Sequence, residues 1–147
     1  MPAVPFCHAV LKAARPPPPG YPTHPGTIGE HIRKRRIEQG LTQKALAALL
    51  GVSEAAILDW EIHGRAPALR TIPAIVRFLG RLPGDQENLT LGQRLRRCRQ
   101  VRGLSQKVLA RQLNVDPGTL ARWESGERRP AGDLLARVVD LLRGFHG

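Results

Sequence analysis

The apolar positions of this chain follow one spacing that occurs twice. Leu46, Ala47, Leu50, Val52, Ile57 and Trp60 recur as Leu109, Ala110, Leu113, Val115, Leu120 and Trp123. Within each set the intervals place the side chains on one face of short successive helices, with polar residues between, so they are read as core. The pattern predicts helices over about Ile28 to Gln39, Gln43 to Leu50, Glu54 to Ile62 and Ala68 to Leu79, the last interrupted near Pro73. Its second occurrence predicts helices over Leu91 to Arg102, Gln106 to Leu113, Pro117 to Glu124 and Ala131 to Leu142. The last of these presents Leu135, Val138, Leu141 and Leu142 as its apolar face.

The residues between the helices agree with these limits. Thr42, Ser53, Ser105 and Asp116 can accept a hydrogen bond from the unpaired N–H groups of a helical first turn. Gly51, Gly103 and Asn114 tolerate the left-handed conformation that ends a helix. Pro117 follows the Asp116 cap, at the first helical position, where its missing N–H is harmless. Residues 27–80 align with 90–143 at a constant offset of 63, without a gap and with 19 identities in 54 positions. Self-similarity of that kind marks a duplicated unit. The chain therefore divides into a Pro-rich tail (1–26), a first repeat (27–80), a linker (81–89), a second repeat (90–143) and a short C-terminal tail (144–147). The N-terminal tail, with Pro16 to Pro19 and only short apolar patches, is expected to be extended and disordered. Tyr21 beside Pro22 is its one segment with surface to lay against the first repeat.

The run RLRRCRQVRGLSQ, then LA, then NVDPGTLARWESGERRP, within about Leu91 to Leu142, resembles the DNA-binding domain of lambda-type phage repressors and Xre-like bacterial regulators. The resemblance implies an all-α chain of two lambda-repressor-like helix-turn-helix domains in tandem, each of four to five short helices. It implies a transcription regulator bound to double-stranded DNA, with the third helix of each repeat, chiefly the second, in the major groove. It further implies that Arg36 with Glu61, and Arg99 with Glu124, form salt bridges inside the domains. The glutamines opening the second helices, Gln43 and Gln106, correspond to one that fixes a phosphate and supports the reading helix.

The same resemblance puts Pro117, Gly118 and Arg122 at base-facing positions of the second repeat, with Thr119 near a phosphate. Of these, Arg122 alone can make a two-pronged bond to guanine. Lys107 and Lys44 bring charge to helix N-termini, which already favour phosphate. Arg128 and Arg129, with Arg65 as the counterpart of the former, suit the flanking backbone and position without specifying sequence. The first repeat departs from this pattern, carrying Glu54, Ala55 and Asp59 at its base-facing positions. Carboxylates there are repelled by phosphate, although one can accept from cytosine N4.

Charge separates the copies further. The chain carries a formal +11, a balance that suits a polyanionic partner through counterion release. Residues 27–80 hold 8 basic and 5 acidic side chains, and residues 90–143 hold 12 and 5, so the surplus is 3 against 7. The second repeat is the expected anchor. The alternative is an antitoxin-like protein or adaptor, whose first repeat binds a protein partner, through its acidic third helix, or a second copy as a homodimer, with DNA contact minor.

Other chemistries find little support in the residues. Cys7 and Cys98 form no disulfide framework, Cys98 reads as a small core residue, and His8, His24, His31, His63 and His146 are scattered. No metal, cofactor or small-molecule ligand is therefore expected. Neither paired catalytic carboxylates, a nucleophile with its base, nor a phosphate-cradling glycine loop stands out, so no enzyme is expected. Without a membrane-length apolar run or a signal peptide, the expected location is the cytoplasm, on the nucleoid.

Overall fold

The computed structural model describes residues 16–84 and 87–145; Cys7, His8 and His146, singled out above, lie outside them. The described residues form eight α-helices and no strand. The first repeat holds α1 (Ile28–Glu38), α2 (Gln43–Leu50), α3 (Glu54–Glu61), a single 3-10 turn (Leu69–Thr71) and α4 (Ile72–Leu79). The second holds α5 (Leu91–Val101), α6 (Gln106–Leu113), α7 (Pro117–Ser125) and α8 (Gly132–Arg143).

Side-chain caps set most of the starts. Thr27 and Thr90 form capping boxes with Glu30 and Gln93, and Thr42, Ser53, Ser105 and Asp116 each accept a first-turn backbone N–H. The expected helix over Ala68 to Leu79 is divided, because Pro73 lies in the first turn of α4 and the chain before it winds as the 3-10 turn. Proline has no N–H to continue a helical hydrogen-bond ladder and is tolerated only in a first turn.

Each repeat has its own core. Ile32, Leu46, Ile57, Trp60, Ile75 and Phe78 fill the first, and Leu95, Cys98, Leu109, Leu120, Trp123 and Val138 the second. Fully burying side chains of this size favours folding by about 1.5–3 kcal/mol each. On α8 the face differs from the expected one. Leu134, Val138, Leu141 and Leu142 pack on the core, at helical steps of four, seven and eight, while Leu135 is exposed.

Glycine allows the closest approach in each repeat. A methyl group on Gly29 would overlap the Trp60 carbonyl oxygen, and one on Gly92 the Trp123 carbonyl oxygen. The first helix of each repeat thus lies directly on the backbone of the third.

The segments outside the repeats are more engaged than their composition suggests. Leu82, in the expected linker, is buried in the first core, and Val101 of α5 packs against the same core. Arg97 of α5 donates to the Leu82 carbonyl, and α4 packs against α5. The two repeats therefore meet through an interface, and a nine-residue span is not their only connection. Residues 16–26, expected as tail, carry a turn closed by the Tyr21 N–H on the Pro18 carbonyl. The Tyr21 hydroxyl donates to Glu38 at 2.7 Å, and the Lys34 ammonium lies 5.7 Å from its ring centre. At the other end Phe145 packs on the second core.

Candidate nucleic-acid interface

Three side chains fix the direction of α7. Arg99 on α5 donates through Nε and Nη2 to the two oxygens of Glu124 on α7, at 2.7 and 2.9 Å. Its Nη1 donates to the Leu104 carbonyl at 3.0 Å. Gln106, first residue of α6, donates through Nε2 to Glu124 Oε2 at 2.9 Å. Arg99 and Glu124 are only 8% and 7% exposed. Their charges meet in paired, hydrogen-bonded geometry, the arrangement in which a buried carboxylate is tolerated.

The first repeat repeats this cluster atom for atom. Arg36 reaches Glu61 at 2.7 and 2.8 Å and the Leu41 carbonyl at 2.9 Å, while Gln43 reaches Glu61 at 3.0 Å. In both copies one glutamine N–H is spent on the carboxylate, which leaves the second N–H for any phosphate.

The turn between α6 and α7 is fixed by Asn114, the one non-glycine with positive φ among the described residues, at 56°. Asp116 then accepts the Gly118 N–H at 2.7 Å, opening α7 with Pro117 in its first turn. Pro117, Gly118, Arg122, Arg128 and Arg129 are exposed, Thr119 is half-buried, and Lys107 is exposed at the start of α6. The loop after α7 folds back onto the helix, its Arg128 N–H bonding the Arg122 carbonyl at 3.1 Å. Arg122 and Arg128 thus share one end of α7, and neither has a carboxylate partner among the described residues.

The same loop in the first repeat has the opposite electrostatics. The Arg65 N–H bonds the Asp59 carbonyl at 3.1 Å, and the Arg65 guanidinium also pairs with the Asp59 carboxylate at 3.2 Å. The cation expected to meet the DNA backbone is held by the carboxylate at the position expected to face bases. Glu54, Ala55 and Lys44 are exposed beside them, and Gln43 is half-buried.

One feature of the first repeat escaped the sequence reading. Leu49, Leu58 and Ile62 are 63%, 41% and 51% exposed. Their counterparts in the second repeat are Gln112, Ala121 and Ser125. The signal lay in the register of the repeats, at three positions where one copy is large and apolar and the other small or polar.

Comparison with known proteins accords with this geometry. A family model described as a helix-turn-helix domain matches residues 90–144, and one described as helix-turn-helix matches residues 32–85. These two stretches are helix-turn-helix domains in tandem, of the lambda-repressor and Xre-like DNA-binding type. Among curated proteins it is similar to endothelial differentiation-related factor 1 of Rattus norvegicus and of Mus musculus. Each is 37% identical over 54 residues, which are 37% of this chain and 36% of the rodent protein. The match thus spans about a third of the relatives' length. No solved structure matches the chain. No helix among the described residues is long and apolar enough to cross a membrane.

Proposed function

We propose that this protein is a sequence-specific regulator of transcription, placed on double-stranded DNA by the second repeat with α7 in the major groove. What carries the reading is the contrast at one pair of positions. Arg122 and Arg128 stand exposed and unpaired at the end of α7, whereas Asp59 and Arg65 neutralise each other at the end of α3. Arg122 makes the base contact, and Arg128, Arg129 and Lys107 hold the flanking phosphates. The Arg99–Glu124–Gln106 cluster directs α7 without touching bases. Selection from random duplexes with the full chain tests this. The wild type enriches a defined site, and Arg122→Ala enriches sites in which one base pair is no longer fixed. An unchanged consensus with Arg122→Ala contradicts it.

A second reading rests on the exposed Leu49, Leu58 and Ile62 beside Glu54. Here the first repeat docks a protein, either a second copy of the chain or another partner, while the second repeat holds DNA. Sedimentation of the chain with and without Leu58→Ser and Ile62→Ser distinguishes self-association, which those changes abolish, from a monomer that they leave unaltered.

A further inference from the structure

Between the two repeats lies a half-open cleft of about 560 Å³. The first repeat contributes Arg65, from the loop after α3, and the second contributes Gln93, Arg96 and Arg97 from one face of α5. No acidic residue is among the described residues that line it. A second cavity, of about 700 Å³, opens between the start of α5 and the loop after α7, and Arg96 lines it together with Arg128 and Arg129. Arg96 therefore belongs to both, and with Arg97, Arg128 and Arg129 it forms one track, which ends at the first repeat on Arg65, itself held by Asp59. The carboxylate lining that second cavity, Glu124, is already spent on Arg99.

Arg96 is exposed and has no side-chain partner among the described residues. Its counterpart Arg33 differs, because the turn at Gly20 lies against it so closely that a methyl on Gly20 would meet its guanidinium. Arg97 is held at the cleft wall by its bond to the Leu82 carbonyl. Burial, with the charge of Arg81 adding, lowers the pKa of Arg97 from its ordinary value. A guanidinium keeps its proton at neutral pH, so that crowding is relieved by an arriving anion and not by deprotonation. Guanidinium groups gathered in a concave, partly desolvated surface concentrate the field that attracts one.

We propose that this track is a phosphate-binding site centred on Arg96, which takes phosphate groups lying outside the stretch read by α7. It rests on the reading of α7 above for one source of those groups, the DNA backbone. A free polyphosphate offers the same chemistry and is the other source.

The test uses the full chain with Arg96→Gln, with Arg96→Lys retaining the charge. In the duplex arm, the wild type binds more tightly when the duplex is lengthened beyond the α7 site. Arg96→Gln loses that gain and shows a slope of log K against log salt reduced by about 0.9 for each phosphate lost, with base preference unchanged. Arg96→Lys retains most of both. In the DNA-free arm, calorimetry with pyrophosphate shows binding by the wild type that Arg96→Gln loses if the source is a free phosphate. If Arg122→Ala alters base preference while Arg96→Gln matches the wild type in slope, length dependence and pyrophosphate binding, the track is overturned and the reading of α7 stands. If no duplex binds at all, the reading of α7 fails and pyrophosphate decides: binding lost in Arg96→Gln upholds the site, and no wild-type binding overturns it.

Discussion

Position 59 is aspartate where position 122 is arginine, and this one difference sets the charge of two otherwise similar helix ends. The exposed Asp59–Arg65 pair contributes little to folding, about 0–1 kcal/mol. Its effect falls on Arg65, which it withholds from phosphate. Asp59→Asn is therefore expected to leave the thermal midpoint almost unchanged while tightening DNA binding at low salt and steepening the salt slope by about 0.9. Fluorescence anisotropy across a salt series checks this. The buried pair behaves in the opposite way. Glu124→Gln removes the anion facing Arg99 and is expected to destabilise the second repeat by about 3–5 kcal/mol, read from denaturant midpoints. Of these groups, the two Arg–Glu pairs were legible through the family resemblance alone. The bond of Gln106 to Glu124 was not, because residues 18 apart with a helix break between them follow no local period. Nor does composition reveal that Asp59 holds Arg65, a contact made only once the loop after α3 turns back on the helix.

At the scale of the helices, the third is seated by the first through a glycine. Gly92→Ala places a better helix former in α5, by about 1 kcal/mol in isolation. The added methyl would meet backbone of α7 that has no rotamer to yield. Overpacking is therefore expected to win, lowering stability by about 1–3 kcal/mol in urea unfolding. A variant more stable than wild type would show that α5 and α7 separate without cost. Most helix limits were readable because caps and left-handed turn residues act locally: α2 and α6 begin and end at the expected residues. Two features were not readable for a common reason. Which of Leu134 and Leu135 enters the core depends on how α8 is rotated against its neighbours, and the 3-10 turn at Leu69–Thr71 depends on where the chain must arrive before Pro73. Both are settled by tertiary packing, which spacing alone does not encode.

For the molecule as a whole, the contacts of Leu82, Arg97 and Val101 join the repeats. A polar stretch broken by Pro83-Gly84 reads as a free linker, and a lone leucine in it carries no periodic signal. Leu82→Ala is expected to cost the first repeat about 2–5 kcal/mol and to leave the second folded. Amide exchange checks this, with protection falling in α4 and the facing side of α5 and persisting in α6 and α7. The charge contrast between repeats supports the proposal that the second is the anchor on DNA, and the account depends on that anchor reading sequence. Its most direct test is titration of wild type and Arg122→Ala against duplexes that differ at single base pairs of the selected site, at two salt concentrations. The account predicts that Arg122→Ala loses about 1–3 kcal/mol on the preferred duplex and flattens discrimination at one base pair only. Equal losses on every duplex, or a wild type that binds all of them alike, would contradict it.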